Sequence, residues 1–96
     1  MPAWFYILRL RSGVLYPGAT TDLARRQDEH REGRACHTTA LDPPVELVYS
    51  ERFAAFAEAR RRESQVKKWS SAKKEALVSG DRAKLRRLAR SRDHDT

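Results

Sequence analysis

Cysteine is nearly absent. Cys36 stands alone, so no internal disulfide can form, and no Cys/His spacing suits a zinc site. Its plainest role is a buried or half-buried free thiol. Long apolar runs are missing too: nothing approaches the ~18–20 residues that span a bilayer. The start, Met1 to Tyr6, has no positive segment ahead of an apolar stretch, so a signal peptide is not expected. The expected address is the cytoplasm, with no membrane partner. Acidic residues are outnumbered, 13 against 20 Lys and Arg, for a net charge of +7. That balance disfavours polycationic partners and favours a polyanion, because every phosphate contact releases counterions. The 96 residues fit one domain with a small core, and 40% hydrophobic content is enough to build it.

The pattern along the chain reads β-β-α-β-α-α. Trp4 to Leu10 is rich in aromatic and aliphatic residues and reads as a strand. Ser12-Gly13 offers a turn and Val14 to Tyr16 resumes the strand pattern, together a β-hairpin. Pro17 cannot donate to a ladder, so this strand should end there or lie on a sheet edge. Gly18 suits a bend or a close backbone approach. Thr21-Asp22 should cap a helix from Leu23 to Glu32, with Gly33 as its stop. Arg34 to Asp42 is polar and reads as an irregular loop. Val45 to Tyr49 alternates as a third strand, with Val45, Leu47 and Tyr49 on one face. Ser50 is the expected cap of a longer helix, Phe53 to Trp69. Ser70-Ser71 interrupts, a short helix follows to Gly80, and Asp81 opens a last one through Ala89 that leans on Leu85 and Leu88. Arg90 to Thr96 reads as a frayed end. The fold class is α+β: a small three-stranded antiparallel sheet flanked by helices, residues 1–79, with a basic C-terminal helical extension, 80–96.

Several residues stand out once the chain is arranged this way. Tyr6 and Tyr16 lie one on each hairpin strand, where a tyrosine is most often a packing residue. Arg26 and His30 share the Leu23 face of the first helix and need polar partners if they turn inward. Glu63 falls within an apolar stripe between Ala59 and Val66, a costly place for a carboxylate without a cation, a metal or a hydrogen-bond donor. Arg60-Arg61-Arg62 with Lys67-Lys68 form a basic cluster that is most simply a solvated helix face. Phosphodiester hydrolysis needs a base for water, a cation for developing charge and an acid to hold a metal. Tyrosine, arginine, histidine and glutamate supply that set if the hairpin and the two helices converge.

Phe5-Tyr6-Ile7 followed by Tyr16-Pro17-Gly18 resembles the paired tripeptides of the GIY-YIG nucleases. Thr20 to Arg26 with His30 resembles the segment carrying that family's arginine and downstream histidine. Pro44 to Tyr49 and Glu58 to Trp69 resemble the closing half of the domain, so the likeness runs from Trp4 to Leu77. It is nearest to the small stand-alone bacterial members. Phe5 replaces the first glycine, and Pro17 replaces an apolar strand former. The resemblance implies a metal-dependent endonuclease. Tyr6 would be the general base and Tyr16 would help to hold water or phosphate. Arg26 would contact the scissile phosphate, His30 would assist the tyrosines, and Glu63 would bind one divalent ion, Mg²⁺ or Mn²⁺. Arg25, His37, Arg62, Lys67 and Lys68 are further candidates for contacting nucleic acid.

The reading that follows is an endonuclease, DNA favoured over RNA, with weak sequence specificity because so small a domain can read little sequence. The competing readings are a nucleic-acid binding module on the same scaffold and a protein-interaction adaptor.

Overall fold

A computed structural model describes residues 1–90, with side chains through Arg87. β1 (Ala3–Leu10) and β2 (Leu15–Thr20) form the hairpin, and Gly13 in the connection takes a φ of 94°, open to a residue without Cβ. β3 (Pro44–Phe53) pairs with the other side of β1, giving an antiparallel sheet in the order β2-β1-β3. β1 is central and buried on both faces, which explains its nearly unbroken apolar run. β2 is an edge strand, so the proline opposite Ile7 leaves no ladder bond unmade towards a further strand.

Helices cover both faces. α1 (Leu23–Arg31) lies with α2 (His37–Leu41) over the face that carries Tyr6, Leu8 and Leu10, where Leu23 and Leu47 join them. α3 (Phe56–Lys67) and α4 (Ser71–Ser79) close the opposite face, where Phe5, Ile7, Leu15, Val66 and Leu77 form the main core. α5 (Arg82–Arg90) leans on that core through Leu85. The frayed end expected from Arg90 lies, from residue 91, outside the described residues, as does the side chain of Leu88.

Three expectations are corrected. The stretch Arg34 to Asp42 is not all loop, because its middle winds into α2 and places Thr39 inside the protein, 1% exposed. The third strand is longer than its alternation suggests, and it is irregular. Its register against β1 slips between Ile7 and Leu8, so Val48 becomes an extra residue. Tyr49 therefore packs with Phe5 while Leu47 joins Leu8 on the other face, and Val45 is 64% exposed. Ser50 pairs with Tyr6 inside the sheet and caps nothing. The helix begins only after Ala55, whose amide donates to the Glu58 carboxylate at 3.1 Å. The caps expected at Asp22 and Asp81 hold, accepting from Arg25 N and Lys84 N, and Ser70, where only a break was expected, also caps by accepting from Lys73 N.

Arg62 ties α3 to the sheet. Its guanidinium donates to both Glu51 oxygens, at 3.0 and 3.2 Å, and to Gln65. It lies over the Phe5 and Trp69 rings, 5.8 and 5.3 Å from their centroids, and Lys73 Nζ sits 4.2 Å from the Trp69 centroid. Both charges of the Arg62–Glu51 pair are about three-quarters covered, with side-chain exposures of 23% and 24%. Removing one partner leaves the other charge half-buried and alone. Arg62→Ala is expected to cost about 2–3 kcal/mol of folding free energy, at the lower edge of losses for buried pairs, read by urea unfolding monitored through Trp69. A loss below about 0.5 kcal/mol, the level of a surface ion pair, would show that the network holds nothing together.

Candidate active site

The site begins with a missing side chain. Gly18 on β2 lies opposite Tyr6 on β1, and the Tyr6 ring lies across its backbone. A Cβ built on Gly18 would stand 2.4 Å from both Cζ and the hydroxyl oxygen of Tyr6. Only glycine leaves room for that crossing. The residue is 1% exposed, and its hydroxyl lies over the edge strand at Gly18.

α1 supplies the next partner. The Asp22 cap sets the start of the helix, and His30, two turns on, turns inward with 2% exposure. Its Nε2 lies 2.9 Å from the Tyr6 hydroxyl and its Nδ1 lies 2.8 Å from Thr39 Oγ1. Its ring also meets the Tyr16 ring edge to face, with centroids 5.6 Å apart. The Tyr16 hydroxyl lies 3.1 Å from Cys36 Sγ, and Cys36 in turn lies 3.4 Å from Thr39 Oγ1. The two phenols are thus the ends of one hydrogen-bonded chain, Tyr6–His30–Thr39–Cys36–Tyr16.

The electrostatics follow from burial and neighbours. Burial pushes Tyr6 up to about 12, against the pull of the Arg26 guanidinium beside it. Burial, the Cys36 thiol and Glu63 drive Tyr16 further in the same direction. His30 is held below its ordinary 6.5, first by burial and then by the Arg26 charge. Burial by itself would raise Cys36. Hydrogen bonds from Thr39, Tyr16 and the Thr38 and Thr39 amides more than offset it and bring the thiol down.

Arg26 lies on the same inward face as His30, half-covered, with Nε 3.0 Å from Glu29 Oε1. Burial opposes its charge, but the Tyr6 oxygen and Glu29 stabilise it, so the guanidinium stays ionised. A groove of about 190 Å³ runs past it, lined by Thr20, Thr21, Asp22, Arg25 and Glu29.

Glu63 comes from the other side of the sheet. Ala59 and Val66 are fully buried, which holds this part of α3 against β1 and the edge strand β2. Between them the Glu63 side chain is 19% exposed, and its charge is felt by both Tyr6 and Tyr16. The bland alternative, a salt bridge, is present only as a long contact: Arg60 Nε at 3.4 Å, on a side chain 61% exposed. Among the described residues Arg60 is the cation paired with Glu63, and at that distance the carboxylate keeps lone pairs for a hard ion. Among the described residues no cluster of three or more acidic, histidine or cysteine side chains could cage a metal. One carboxylate, completed by water and phosphate oxygens, suits a hard divalent cation.

The structure thus gathers Tyr6, Tyr16, Arg26 and His30, with Glu63 facing the tyrosines. Arg25, 77% exposed, borders the Arg26 groove. His37, Lys67 and Lys68 are exposed on α2, at the end of α3 and at its C-cap. Arg62 is bound up with Glu51 under the opposite face. Sequence reasoning missed Thr39 and undervalued Cys36. The signal was there in principle, since an inward histidine needs a partner for each ring nitrogen and Tyr6 fills only one.

Comparison with known proteins follows the same outline. The sequence model of the GIY-YIG catalytic domain matches residues 2–76. The chain belongs to the GIY-YIG family. A UPF0213 protein of Natronomonas pharaonis is 41% identical over 78 residues, covering 81% of this chain and 92% of the relative. One of Bacillus pumilus is 39% identical over 75 residues, covering 78% and 76%. The solution NMR structure of a UPF0213 protein from Bacillus halodurans is 35% identical, covers 96% of this chain and 100% of its own, and superposes with a TM-score of 0.55.

In this GIY-YIG domain the last letter of the second motif is a steric requirement. Gly18→Ala is expected to push the Tyr6 ring off the strand, break its bond to His30, and cost about 1–3 kcal/mol by overpacking. Chemical denaturation gives the stability, and loss of the Tyr6–His30 nuclear Overhauser contact gives the displacement. An alanine variant with both unchanged would show that the strand yields instead.

Proposed function

We propose that this protein is a metal-dependent endonuclease that hydrolyses phosphodiester bonds, of DNA in preference to RNA and with little sequence specificity. The observation that carries this reading is the buried hydrogen bond from Tyr6 to His30, with Arg26 against the same phenol. The basic balance of the chain supports a nucleic-acid partner. The 80–96 extension, with Arg82, Arg86 and Arg87 exposed on α5, would add backbone affinity to a catalytic domain of residues 1–79.

Tyr6 is too weak an acid to exist as phenolate at neutral pH, since burial pushes it up to about 12. It can still accept a proton from water if it gives up its own at the same time. His30 Nε2 is the receiver within reach, and its lowered pKa keeps it neutral and free to accept. As the water oxygen bonds to phosphorus, one water proton passes to the Tyr6 oxygen and the phenolic proton passes to His30. The P–O bond to the leaving oxygen breaks, and that oxygen takes a proton from solvent. Arg26, fixed by Glu29, meets the charge gathering on the non-bridging phosphate oxygens. Tyr16 offers its hydroxyl to the water or the phosphate. Glu63 would hold the ion, which would neutralise the phosphate and stabilise the leaving oxygen.

Cleavage of labelled single-stranded, duplex and flap DNA and of RNA, each with Mg²⁺, Mn²⁺ or chelator, tests the reading. Glu63→Ala and Arg26→Ala are each expected to lower the rate by roughly 100-fold or more, the size of one lost charge-stabilising group, with unfolding midpoints little changed. Both variants cutting at the original rate, or binding without product under every condition, would overturn it; the second result would leave a binding module on this scaffold.

The same scheme fixes a pH dependence. His30 must be neutral to accept the proton, and the groups around it are Tyr6, Tyr16, Arg26, Glu29 and Cys36. Its pKa is depressed, so activity is full above 6.5 and falls as pH drops through the lowered value. The acid limb of kcat/KM should therefore have its midpoint below 6.5. A midpoint above that value would mean that some other group is the proton acceptor.

A further inference from the structure

We propose that Thr39 is a positioning residue, whose hydroxyl accepts the Nδ1 proton of His30 and so keeps Nε2 bare to receive the proton of Tyr6. This rests on the hydrolytic reading above and adds to it the element that sets the direction of proton flow. Neutral imidazole carries one proton, on either nitrogen, and only the Nδ1–H form can accept from Tyr6. The Nε2–H form would point a second proton at the phenol and block the transfer.

The geometry selects between them. Thr39 Oγ1 lies 2.8 Å from His30 Nδ1, and both residues are almost wholly buried, so water is not available as an alternative partner. A hydroxyl can donate or accept, and its choice depends on where its own proton goes. Here that proton has somewhere else to go. The Cys36 carbonyl oxygen, one helical turn back at the start of α2, lies 3.5 Å from Oγ1, and the Cys36 sulfur lies 3.4 Å away. With the Thr39 hydrogen turned towards Cys36, an Oγ1 lone pair faces Nδ1, and His30 must be the donor on that side. The chain then runs one way: Tyr6 hydroxyl to Nε2, Nδ1–H to Thr39, Thr39 hydroxyl to Cys36. Every donor has an acceptor. In the reverse arrangement Thr39 donates to Nδ1, Nε2–H must donate to Tyr6, and the acceptors on Cys36 receive nothing from Thr39.

The segment that does this is the one whose polar composition suggested only a loop. α2 touches α1 and exists as five residues, with Cys36 as its N-cap and its sulfur turned to Tyr16 and Thr39. Its turn brings Thr39 under His30 and Cys36 beside Tyr16.

The test has one readout independent of catalysis. The ¹⁵N shifts of the His30 ring, in full-length protein at pH 8, are expected to show a protonated Nδ1 and an unprotonated Nε2. A protonated Nε2 would overturn the proposal outright, whether or not the protein cuts. In Thr39→Val, which keeps the shape and removes the acceptor, the tautomer should shift towards Nε2–H. With cleavage established in the wild type, kcat should fall roughly 100-fold, the low end of a general-base contribution, with KM little changed, and Thr39→Ser should restore both. Should the valine variant not fold, the ring spectrum of the wild type and the serine variant still decides, serine being required to keep Nδ1–H. A folded valine variant with the wild-type tautomer and kcat would sink the idea. Absence of cleavage by the wild type would count against the nuclease reading, while the ring spectrum would still judge Thr39.

Discussion

The close crossing of the Tyr6 ring over Gly18 sets the geometry of everything around it. A tyrosine at the centre of a three-stranded sheet would ordinarily end in the core, with its hydroxyl in need of a buried partner. Here the neighbouring strand has no Cβ at the one position where it would collide, 2.4 Å from the ring and the hydroxyl. The phenol can lie across an edge strand and present its oxygen at the boundary between the two faces of the sheet. Because β2 is the edge, nothing further in the sheet blocks that boundary. α1 can reach it from one face with His30 and Arg26, and α3 can reach it from the other with Glu63. A central strand in that place would have separated these helices by a row of paired backbone.

The two faces share out the energetic work unequally. The α3 and α4 face holds the larger aliphatic and aromatic core, closed by Val66, Leu77 and the Arg62–Glu51 tie. It stabilises the domain and gives Glu63 a fixed helix to stand on. The α1 and α2 face is thinner and more polar: Leu8, Leu10, Leu23 and Leu47 surround a chain of hydrogen-bonded groups. Buried polar groups are tolerable only when every one is partnered. The run from Tyr6 through His30, Thr39 and Cys36 to Tyr16 meets that condition, and so it is held in one arrangement.

Features carried by short-range chemistry were legible from the sequence. The hairpin, the edge placement forced by Pro17, the Asp22 and Asp81 caps, and the left-handed stop at Gly80 all depend on residues within a few positions of one another. His30 and Glu63 were legible for a related reason, as polar side chains at helical positions that point inward. What stayed hidden depends on distant partners. The slip at Val48 follows from matching ten residues of β3 to the two-sided burial of β1, which alternation within β3 alone does not reveal. Ser50 looked like a cap because nothing nearby shows that Glu51 is claimed by Arg62, eleven residues on, or that Phe53 pairs with Ala3. α2 is too short for periodicity to show, and it forms because Thr39 has a buried histidine to meet.

The electrostatic pattern argues that these phenols work through their neighbours. A catalytic base acting alone should have a pKa drawn towards the working pH. Tyr6 is moved the other way, up to about 12, and Tyr16 further still. Arg26 acts against this on Tyr6 but does not overcome burial. Such a phenol is a poor reservoir of negative charge and a good conduit, able to take one proton as it releases another. A conduit requires a sink. His30, neutral and depressed below 6.5 by burial and Arg26, lies 2.9 Å away with nothing between. In the proposed hydrolysis Arg26 would serve two ends with one charge: it borders the groove where a phosphate would gather electrons, and with burial it would keep the histidine unprotonated until the phenol delivers. Moving the cation closer to His30 would weaken the sink, and moving it away from the groove would leave the phosphate charge unmet. Its Glu29 partner, one helical turn on at 3.0 Å, holds the guanidinium between these two demands.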